Sequence, residues 1–362
     1  MRTALKYILI NAVILLTIFL ALEFFSYLIV SKYPLFYNYK FNYLDEMNNR
    51  LFTDLDPNLG YTHQSKFVPQ ESDKNILLGL REGSVDLKNG FVTMQFLVPN
   101  KKTLKIAILG SSSTDPFLFN GNWSYFFHNN LKTKGIPHII YNGAVSGYNA
   151  HQVLFKLVRD VFTLDKMDII ILYHGSNDFL GNSDIVKVHP AIHPYQAYLF
   201  TELAGETSAV APEPLFLPNA QVIERSLRRR ILSSRYGLQY GVENKNYIES
   251  YLKNLSYMNA IAKLNGASFF YISEAYLETE TQRIAQPHPF KEKKSVEEGI
   301  RDFLKTLSSK MYQTDYAFSI QQALPKKQIF YDAVHLNDDG NKALATEIEN
   351  ILHKHMPTSL GL

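Results

Sequence analysis

Cysteine is absent from this chain of 362 residues, and tryptophan occurs only once. The lack of cysteine excludes disulfide bonds, thiolate nucleophiles and metal sites built from thiolates. The formal net charge is only +3, so the sequence lacks the excess of basic residues that nucleic-acid binding requires. What the chain does have is 46% hydrophobic and 20% charged residues, a composition typical of a globular protein with a sizeable core.

One long apolar run lies near the N-terminus. Residues 7–30 contain a single charged side chain, Glu23, and about 20 apolar residues suffice to cross a bilayer. A cleaved signal peptide is the alternative, but the run is long for such a peptide and no small-residue cleavage site follows it. Arg2 and Lys6 precede the run and favour a cytoplasmic N-terminus. We therefore predict a single-pass membrane anchor, with the rest of the chain in the periplasm or at the cell surface.

The hydrophobic pattern beyond the anchor predicts the fold class. From residue 104 onward, short apolar runs typical of buried strands alternate with amphipathic helical runs, the last helix being predicted over residues 342–353. The run at residues 167–173 is almost wholly apolar, as expected for a strand at the centre of a parallel sheet. This order predicts a doubly wound α/β sheet.

Three of the predicted strands end in polar loops that contain glycine. The first loop, residues 110–114, reads Gly-Ser-Ser-Ser-Thr; the second contains Gly147 and the third Asn177. Ligands of open α/β sheets bind beyond the carboxyl ends of the strands, so chemistry is expected in these loops. A serine of the first loop can act as a nucleophile, while the Gly147 N–H and the Asn177 amide can donate to a substrate oxygen. The three loops together suit acyl transfer.

Close to the C-terminus, Asp332 and His335 stand three residues apart. At this spacing the carboxylate can accept the Nδ1 proton of the imidazole, which leaves Nε2 free as a general base. The pair precedes the segment 337–340, which is predicted to be a turn. Asp332 and His335 are thus the predicted partners of a serine nucleophile.

The order of these residues resembles the SGNH hydrolases, also called the GDSL family, over about residues 104–351. Ser112 matches the family's nucleophile, Gly147 its second-block glycine, Asn177 its third-block asparagine, and Asp332 and His335 its closing Asp-x-x-His. The resemblance implies a three-layer α/β/α sandwich with a mostly parallel sheet. It also implies catalysis by Ser112, His335 and Asp332, with an oxyanion hole formed by Ser112, Gly147 and Asn177.

The resemblance also implies a function and a domain organisation. The predicted function is a serine esterase that hydrolyses acyl esters, O-acetyl esters among them, of a cell-surface glycan or lipid, without a metal or other cofactor. The same residues would serve an O-acyltransferase acting on an exported polysaccharide, and a membrane-anchored binding or assembly protein without turnover is a third alternative. We predict an anchor at residues 1–32, a juxtamembrane connector at 33–100 and a catalytic domain at 101–362 with an insertion at about 182–241. The oligomeric state is not predicted.

Some features of the sequence point elsewhere or depart from the family pattern. The family's aspartate ahead of the nucleophile is Ser111 here, which weakens the motif but not the mechanism, because that aspartate is not the base.

A phosphate site on the first loop competes with the nucleophile hypothesis, although the P-loop lysine is missing. Four histidines raise the question of a metal but lack ligand spacing, and four arginines suit either a solvated helix face or contact with anionic lipids. These residues are His174, His189, His193 and His288, and Arg225, Arg228, Arg229 and Arg230.

Overall fold

The structure is a computed structural model, and the chain divides into two compact units. The structure describes residues 53–56, 60–63, 86–88, 90–116, 122–180, 245–284, 294–311 and 314–356, together with Thr17, Ala21, Phe24 and Phe25. One unit consists of Met1–Leu51 and Glu202–Leu238, and the other of Phe52–Thr201 and Gln239–Leu362. Of the first unit only the four single residues are described, all of them helical.

The predicted membrane anchor falls in this first unit. Its apolar run, residues 7–30, lies outside the described residues apart from those four positions. Among the helices of the described ranges, none is both long and apolar enough to cross a membrane. The anchor and the location outside the cytoplasm therefore stay predictions.

The second unit is built on one large sheet. Its strands, in chain order, are β1 Thr53–Asp56, β2 Gly60–His63, β3 Asp86–Lys88, β4 Phe91–Phe96, β5 Leu104–Gly110, β6 His138–Asn142, β7 Ile169–His174, β8 Ser268–Ser273 and β9 Ala317–Ser319. β1 and β2 form a separate antiparallel pair, whereas the other seven form a sheet in the order β3-β4-β6-β5-β7-β8-β9. The five strands β6, β5, β7, β8 and β9 are parallel to one another. At one edge of the sheet, β4 pairs antiparallel with β6, and β3 pairs antiparallel with β4. The predicted mostly parallel α/β sheet is confirmed.

The sheet begins earlier in the chain than the predicted catalytic domain. β3 and β4 belong to the same sheet as β5 although they precede residue 101. β4 pairs directly with β6 and buries Phe91 and Val92 completely. The last part of the predicted connector is thus a structural part of the sheet, and the division into anchor, connector and catalytic domain stays a prediction.

Helices cover both faces of the sheet. They are α1 Trp123–Thr133, α2 Ala150–Lys156, α3 Ser176–Leu180, α4 Lys245–Leu264, α5 Lys294–Met311 and α6 Asp338–His355. Side chains alternate between the two faces of a strand, and β5 shows this directly. Ala107 and Leu109 pack with buried residues of α2, α4 and α5, whereas Ile106 and Ile108 pack with those of α1 and α6. The sheet lies between two helical layers, and β7, whose residues are all buried, is the middle one of the five parallel strands.

The last helix begins earlier than its hydrophobic pattern predicted. α6 starts at Asp338, not at residue 342, because Asn337 acts as its N-cap and accepts the Gly340 N–H at 2.9 Å. Asp338 and Asp339 then occupy the first turn, where negative charge is favoured by the helix dipole. The segment 337–340, predicted to be a turn, is therefore a cap and the first turn of a helix. The helix begins only three residues after His335 and fixes the end of its loop.

Candidate active site

The three polar loops singled out in the sequence lie side by side in the structure. They follow β5, β6 and β7, and β5 lies between the other two strands in the sheet. All three strands are parallel, so their carboxyl ends lie at the same edge. The loop after β6 is tied to the loop after β5, because the Val145 N–H donates to the Gly110 carbonyl at 3.3 Å. Ser112, Gly147 and Asn177 are consequently brought to one place.

His335 connects the serine loop with the C-terminal aspartate. Its Nε2 lies 2.8 Å from the Ser112 Oγ, and its Nδ1 lies 2.6 Å from the Asp332 Oδ2. A carboxylate only accepts hydrogen bonds, so the Nδ1 carries a proton and the Nε2 accepts from the Ser112 hydroxyl. The three side chains form a continuous chain of hydrogen bonds although Ser112 and His335 are 223 positions apart in sequence.

Asp332 is held rigidly and keeps its charge. Its Oδ1 accepts the Val334 and His335 backbone N–H groups at 3.0 and 2.8 Å, which closes a tight turn around the carboxylate. Only 3% of Asp332 is exposed. Burial raises its pKa, but the charge of His335 and these hydrogen bonds outweigh burial and lower the pKa to about 2. Asp332 is therefore ionised at neutral pH and favours a positive charge on the adjacent imidazole.

The loop after β6 depends on Gly147. The Tyr148 N–H donates to the Val145 carbonyl at 3.2 Å, and Gly147 has φ 80°, as the third residue of a type II turn requires. Ser146, just before it, donates both its backbone N–H and its hydroxyl to the Asp115 carboxylate, each at 2.8 Å. Asp115 belongs to the loop that carries Ser112, so this carboxylate fixes the Gly147 turn relative to the serine.

Asn177 lies in the short helix α3 and points back at the same turn. Its Nδ2 donates to the Tyr148 carbonyl at 3.1 Å. A side-chain amide nitrogen carries two hydrogens, so one more is left to donate. Within the described residues, the Ser112 backbone N–H also has no acceptor. The loops after β5 and β7 thus each offer a hydrogen-bond donor, which is the kind of group that stabilisation of an oxyanion requires.

Buried polar side chains next to Asn177 form hydrogen bonds with the backbone that surrounds it. His174 is fully buried, and its Nε2 lies 2.8 Å from the Tyr148 carbonyl that also holds Asn177. Asp178 accepts the Ala150 N–H at 2.9 Å. Burial raises the pKa of Asp178 to about 6, and this effect outweighs the charge of His174 and the hydrogen bond from Ala150, which both act to lower the pKa. His174, one of the four histidines considered for a metal, is therefore part of a hydrogen-bond network. Among the described residues no cluster suited to a metal is found, and His189, His193, His288 and the four arginines lie outside them.

Two carboxylates at the site were not singled out from the sequence. Asp115 holds Ser146, and Glu274 accepts the Ser113 hydroxyl at 2.5 Å and the Ser176 N–H at 2.6 Å. Glu274 directly follows β8, so the same inspection of strand ends would have found it if extended to that strand. A carboxylate this close to Ser113 also disfavours the alternative of a phosphate in the serine loop, because like charges repel.

Ser111, which stands where the family has aspartate, is fully buried. Its hydroxyl has no hydrogen-bond partner in the part of the chain that the structure describes. Among the described residues this hydroxyl therefore forms no hydrogen bond with Ser112, His335 or Asp332. The departure from the family pattern leaves the chain of hydrogen bonds from serine to aspartate intact.

Comparison with known proteins identifies the family. The sequence profile of the GDSL-like lipase/acylhydrolase family matches residues 85–348, well over half of the chain. The chain belongs to this family. It is a GDSL-type, or SGNH, hydrolase, as predicted, and the matched range includes every residue of the site described above. A search of curated proteins gave no match.

Solved structures similar to this GDSL hydrolase include proteins that are named lipases, acylhydrolases or esterases. A GDSL-like lipase from Bacteroides thetaiotaomicron is 13% identical, with 70% of this chain and 89% of that chain covered and a TM-score of 0.39. A lipase/acylhydrolase from Enterococcus faecalis is 12% identical, with 70% and 96% covered and a TM-score of 0.39. An acetyl xylan esterase is 13% identical, with 69% and 100% covered and a TM-score of 0.38. At such low identities and TM-scores, the assignment to the family rests on the profile.

Proposed function

We propose that this GDSL hydrolase is a serine esterase in which Ser112 is the nucleophile, His335 the general base and Asp332 the group that orients the base. The observation that carries the proposal is the position of His335. Its Nε2 is 2.8 Å from the Ser112 Oγ while its Nδ1 is 2.6 Å from an ionised carboxylate. A base must lie within about 3.2 Å of the atom that carries the proton it removes, and His335 meets this requirement without rearrangement.

The first half of the reaction forms an acyl-enzyme. The Ser112 oxygen attacks the ester carbonyl carbon as its proton moves to the His335 Nε2, and the carbonyl oxygen becomes an oxyanion. The N–H groups of Ser112 and Gly147 and the second Nδ2 hydrogen of Asn177 stabilise that oxyanion. The C–O bond to the alcohol then breaks, and His335 returns its proton to the departing alcohol.

Water completes the reaction by the same route. His335 removes a proton from a water molecule as the water oxygen attacks the acyl carbon, and the second tetrahedral intermediate collapses to release the carboxylic acid and Ser112. An acceptor sugar in place of water would give an O-acyltransferase with the same residues. Hydrolysis is the proposed activity, and transfer is an outcome that the choice of acceptor tests.

The proposed substrates are acyl esters of a cell-surface glycan or lipid, O-acetyl esters among them, and the proposed location is outside the cytoplasm. The support for both is the apolar run at residues 7–30, which would hold the enzyme at a membrane. Release of acetate from acylated glycans and of fatty acid from lipid vesicles, each measured with and without an added acceptor sugar, separates the substrate classes. Loss of acyl groups from the donor with equal gain on the acceptor would indicate transfer instead of hydrolysis.

The assignment of the nucleophile is tested by a pair of neighbouring serines. In the purified full-length protein, Ser112→Ala should lower hydrolysis of short p-nitrophenyl esters by about 10³-fold or more and abolish labelling by a fluorophosphonate probe. Ser111→Ala is the matched control, because it removes a buried hydroxyl that has no described partner and should leave both readouts unchanged. Undiminished hydrolysis by Ser112→Ala would exclude this nucleophile. A folded wild-type protein that neither reacts with the probe nor hydrolyses esters would favour the binding-protein alternative.

A further inference from the structure

Glu274 is a buried carboxylate at the edge of the sheet where the proposed catalytic groups lie. It follows the last residue of β8, and only 1% of it is exposed. No cationic side chain of the described residues forms an ion pair with it. A charged group in such surroundings needs hydrogen bonds to offset its lost hydration, and Glu274 accepts two short ones.

The two donors to Glu274 flank two different parts of the site. Its Oε1 accepts the Ser113 hydroxyl at 2.5 Å, and its Oε2 accepts the Ser176 backbone N–H at 2.6 Å. Ser113 follows Ser112 in the chain, and Ser176 precedes Asn177. One carboxylate therefore links the loop of the proposed nucleophile to the loop of a proposed oxyanion donor.

Glu274 is itself fixed by the strand next to its own. β7 and β8 pair in parallel up to His174 and Ser273, and the Ala275 N–H donates to the Tyr173 hydroxyl oxygen at 3.0 Å. Gly175, between β7 and Ser176, lets α5 pack closely on this loop, since a Cβ there would lie 2.4 Å from the Leu304 Cδ2, whereas its distance of 3.5 Å to the Glu274 Cβ would be an ordinary contact. The carboxylate thus occupies a defined position set by the central part of the sheet.

We propose that Glu274 is a positioning residue of the esterase, which holds the Ser112 loop and the Asn177 loop at the separation that the oxyanion hole requires. This inference rests on the proposed function. Glu274 acts through Ser113 and Ser176, and the proton of Ser112 still goes to His335. A displacement of about 1 Å between reacting groups costs on the order of 100-fold in rate, so losing this link affects turnover more than substrate binding.

Two substitutions separate positioning from a role of the charge itself. Glu274→Gln keeps an oxygen for the Ser176 N–H and offers an N–H to the Ser113 Oγ, so it preserves the link without the charge. Glu274→Ala removes the link. With active enzyme counted by fluorophosphonate titration, Glu274→Ala should lower kcat about 10- to 100-fold with KM changed less than about threefold, and Glu274→Gln should stay within about threefold of wild type.

The expected pattern extends to the pH profile and to a control. Glu274→Gln should keep the wild-type dependence of kcat on pH, because Glu274 exchanges no proton in the reaction. The matched control is Glu349→Gln. Glu349 is a similarly buried carboxylate, 3% exposed, that pairs with Lys134 and lies about three helical turns beyond the start of α6. This variant should change thermal stability but not kcat per titrated site.

Each outcome decides between the alternatives. Equal losses in Glu274→Gln and Glu274→Ala would show that the charge takes part, and an unchanged kcat in Glu274→Ala would show that the link is irrelevant; either overturns the proposal. If Glu274→Ala does not fold, Ser113→Ala replaces it and should lower kcat about 3- to 10-fold at constant KM, an unchanged kcat again overturning it. A wild-type protein without esterase activity refutes the proposed function and the positioning role together, whereas an active wild type with an unchanged kcat in Glu274→Ala refutes the positioning role alone.

Discussion

His335 lies at the carboxyl end of the parallel strands, whereas His138 is the first residue of β6, at their amino end. Both donate from Nδ1 to a fixed acceptor: His335 to the Asp332 carboxylate at 2.6 Å, and His138 to the Ile136 carbonyl at 2.7 Å. The Nε2 of each is therefore an acceptor, but their partners differ. His335 faces the Ser112 hydroxyl, and His138 faces the Nδ1 of buried His128 at 2.7 Å.

The difference between the two pairs lies in whether the protein tolerates a positive charge. Asp332, with a pKa of about 2, stays ionised and stabilises a proton taken up by His335. At the other end, none of the carboxylates in the described part of the chain forms a hydrogen bond or ion pair with His128 or His138. Burial, followed by the charges of His138 and Lys132, lowers the pKa of His128 to about 4, and burial lowers that of His138 as well. The same tautomer thus suits the proposed base at one end and a neutral structural contact at the other.

The largest difference in kcat is expected between a variant that lacks the imidazole of His335 and one that lacks the imidazole of His128. His335→Ala deletes the proposed base and should lower kcat for short esters by about 10⁴-fold, because no other base among the described residues is hydrogen-bonded to the Ser112 hydroxyl. His128→Gln, which keeps an N–H donor for the His138 Nε2, should leave kcat unchanged. Comparable losses of activity in the two variants, with both proteins folded by circular dichroism, would abolish the distinction between the two ends.

A smaller loss is expected when Asp332 keeps its shape but loses its charge. In Asp332→Asn the remaining oxygen can still accept the Val334 and His335 backbone N–H groups, so the turn should persist. The amide nitrogen would then face the His335 Nδ1 and donate to it, which forces the proton to Nε2 and blocks acceptance from Ser112. We expect kcat to fall about 10²- to 10⁴-fold with little change in KM. Near wild-type turnover would show that the tautomer is not set by Asp332.

The sequence was sufficient to predict which residues would meet, but not what holds them in place. Ser112, Gly147 and Asn177 follow strands whose apolar runs are unmistakable, and parallel strands bring such loops to one edge. Asp332 and His335 are close in sequence, so their contact depends only on a local turn. The catalytic roles of these five residues remain proposed, whereas their proximity is a property of the fold.

The residues that were missed depend on strand order. Glu274 reaches Ser113 and Ser176 because β8 pairs with β7 and not with another strand, and the hydrophobic pattern does not reveal this neighbour. Asp115 reaches Ser146 through the pairing of β5 with β6. The early start of α6 was missed for a local reason, since the polar residues 337–340 suit a turn and a capped helix equally well.

The smallest effect expected is a difference in how the two ends respond to acid. His128 has a pKa of about 4 when folded and about 6.5 when unfolded, so the unfolded chain binds more protons as the pH falls through this window. The free energy of unfolding should therefore decrease between pH 6.5 and 4, by about 2–3 kcal/mol from His128. Asp332 affects stability at a lower pH, because its pKa is lower in the folded than in the unfolded protein. Its contribution to the free energy of unfolding is present above pH 3.8 and is lost as the pH falls towards 2.

Urea unfolding at pH 7 and pH 4.5 separates these contributions. Wild-type protein should lose stability at pH 4.5, and His128→Gln, which has no imidazole to protonate at that position, should lose about 2 kcal/mol less. Asp332→Asn should lose at least as much as wild type, because the Asp332 carboxylate of the folded protein stays ionised in this range and favours a proton on His335, which the amide does not. If His128→Gln and wild type lose the same amount, the amino-end pair does not control the acid response, and the contrast between the two histidine sites is confined to catalysis.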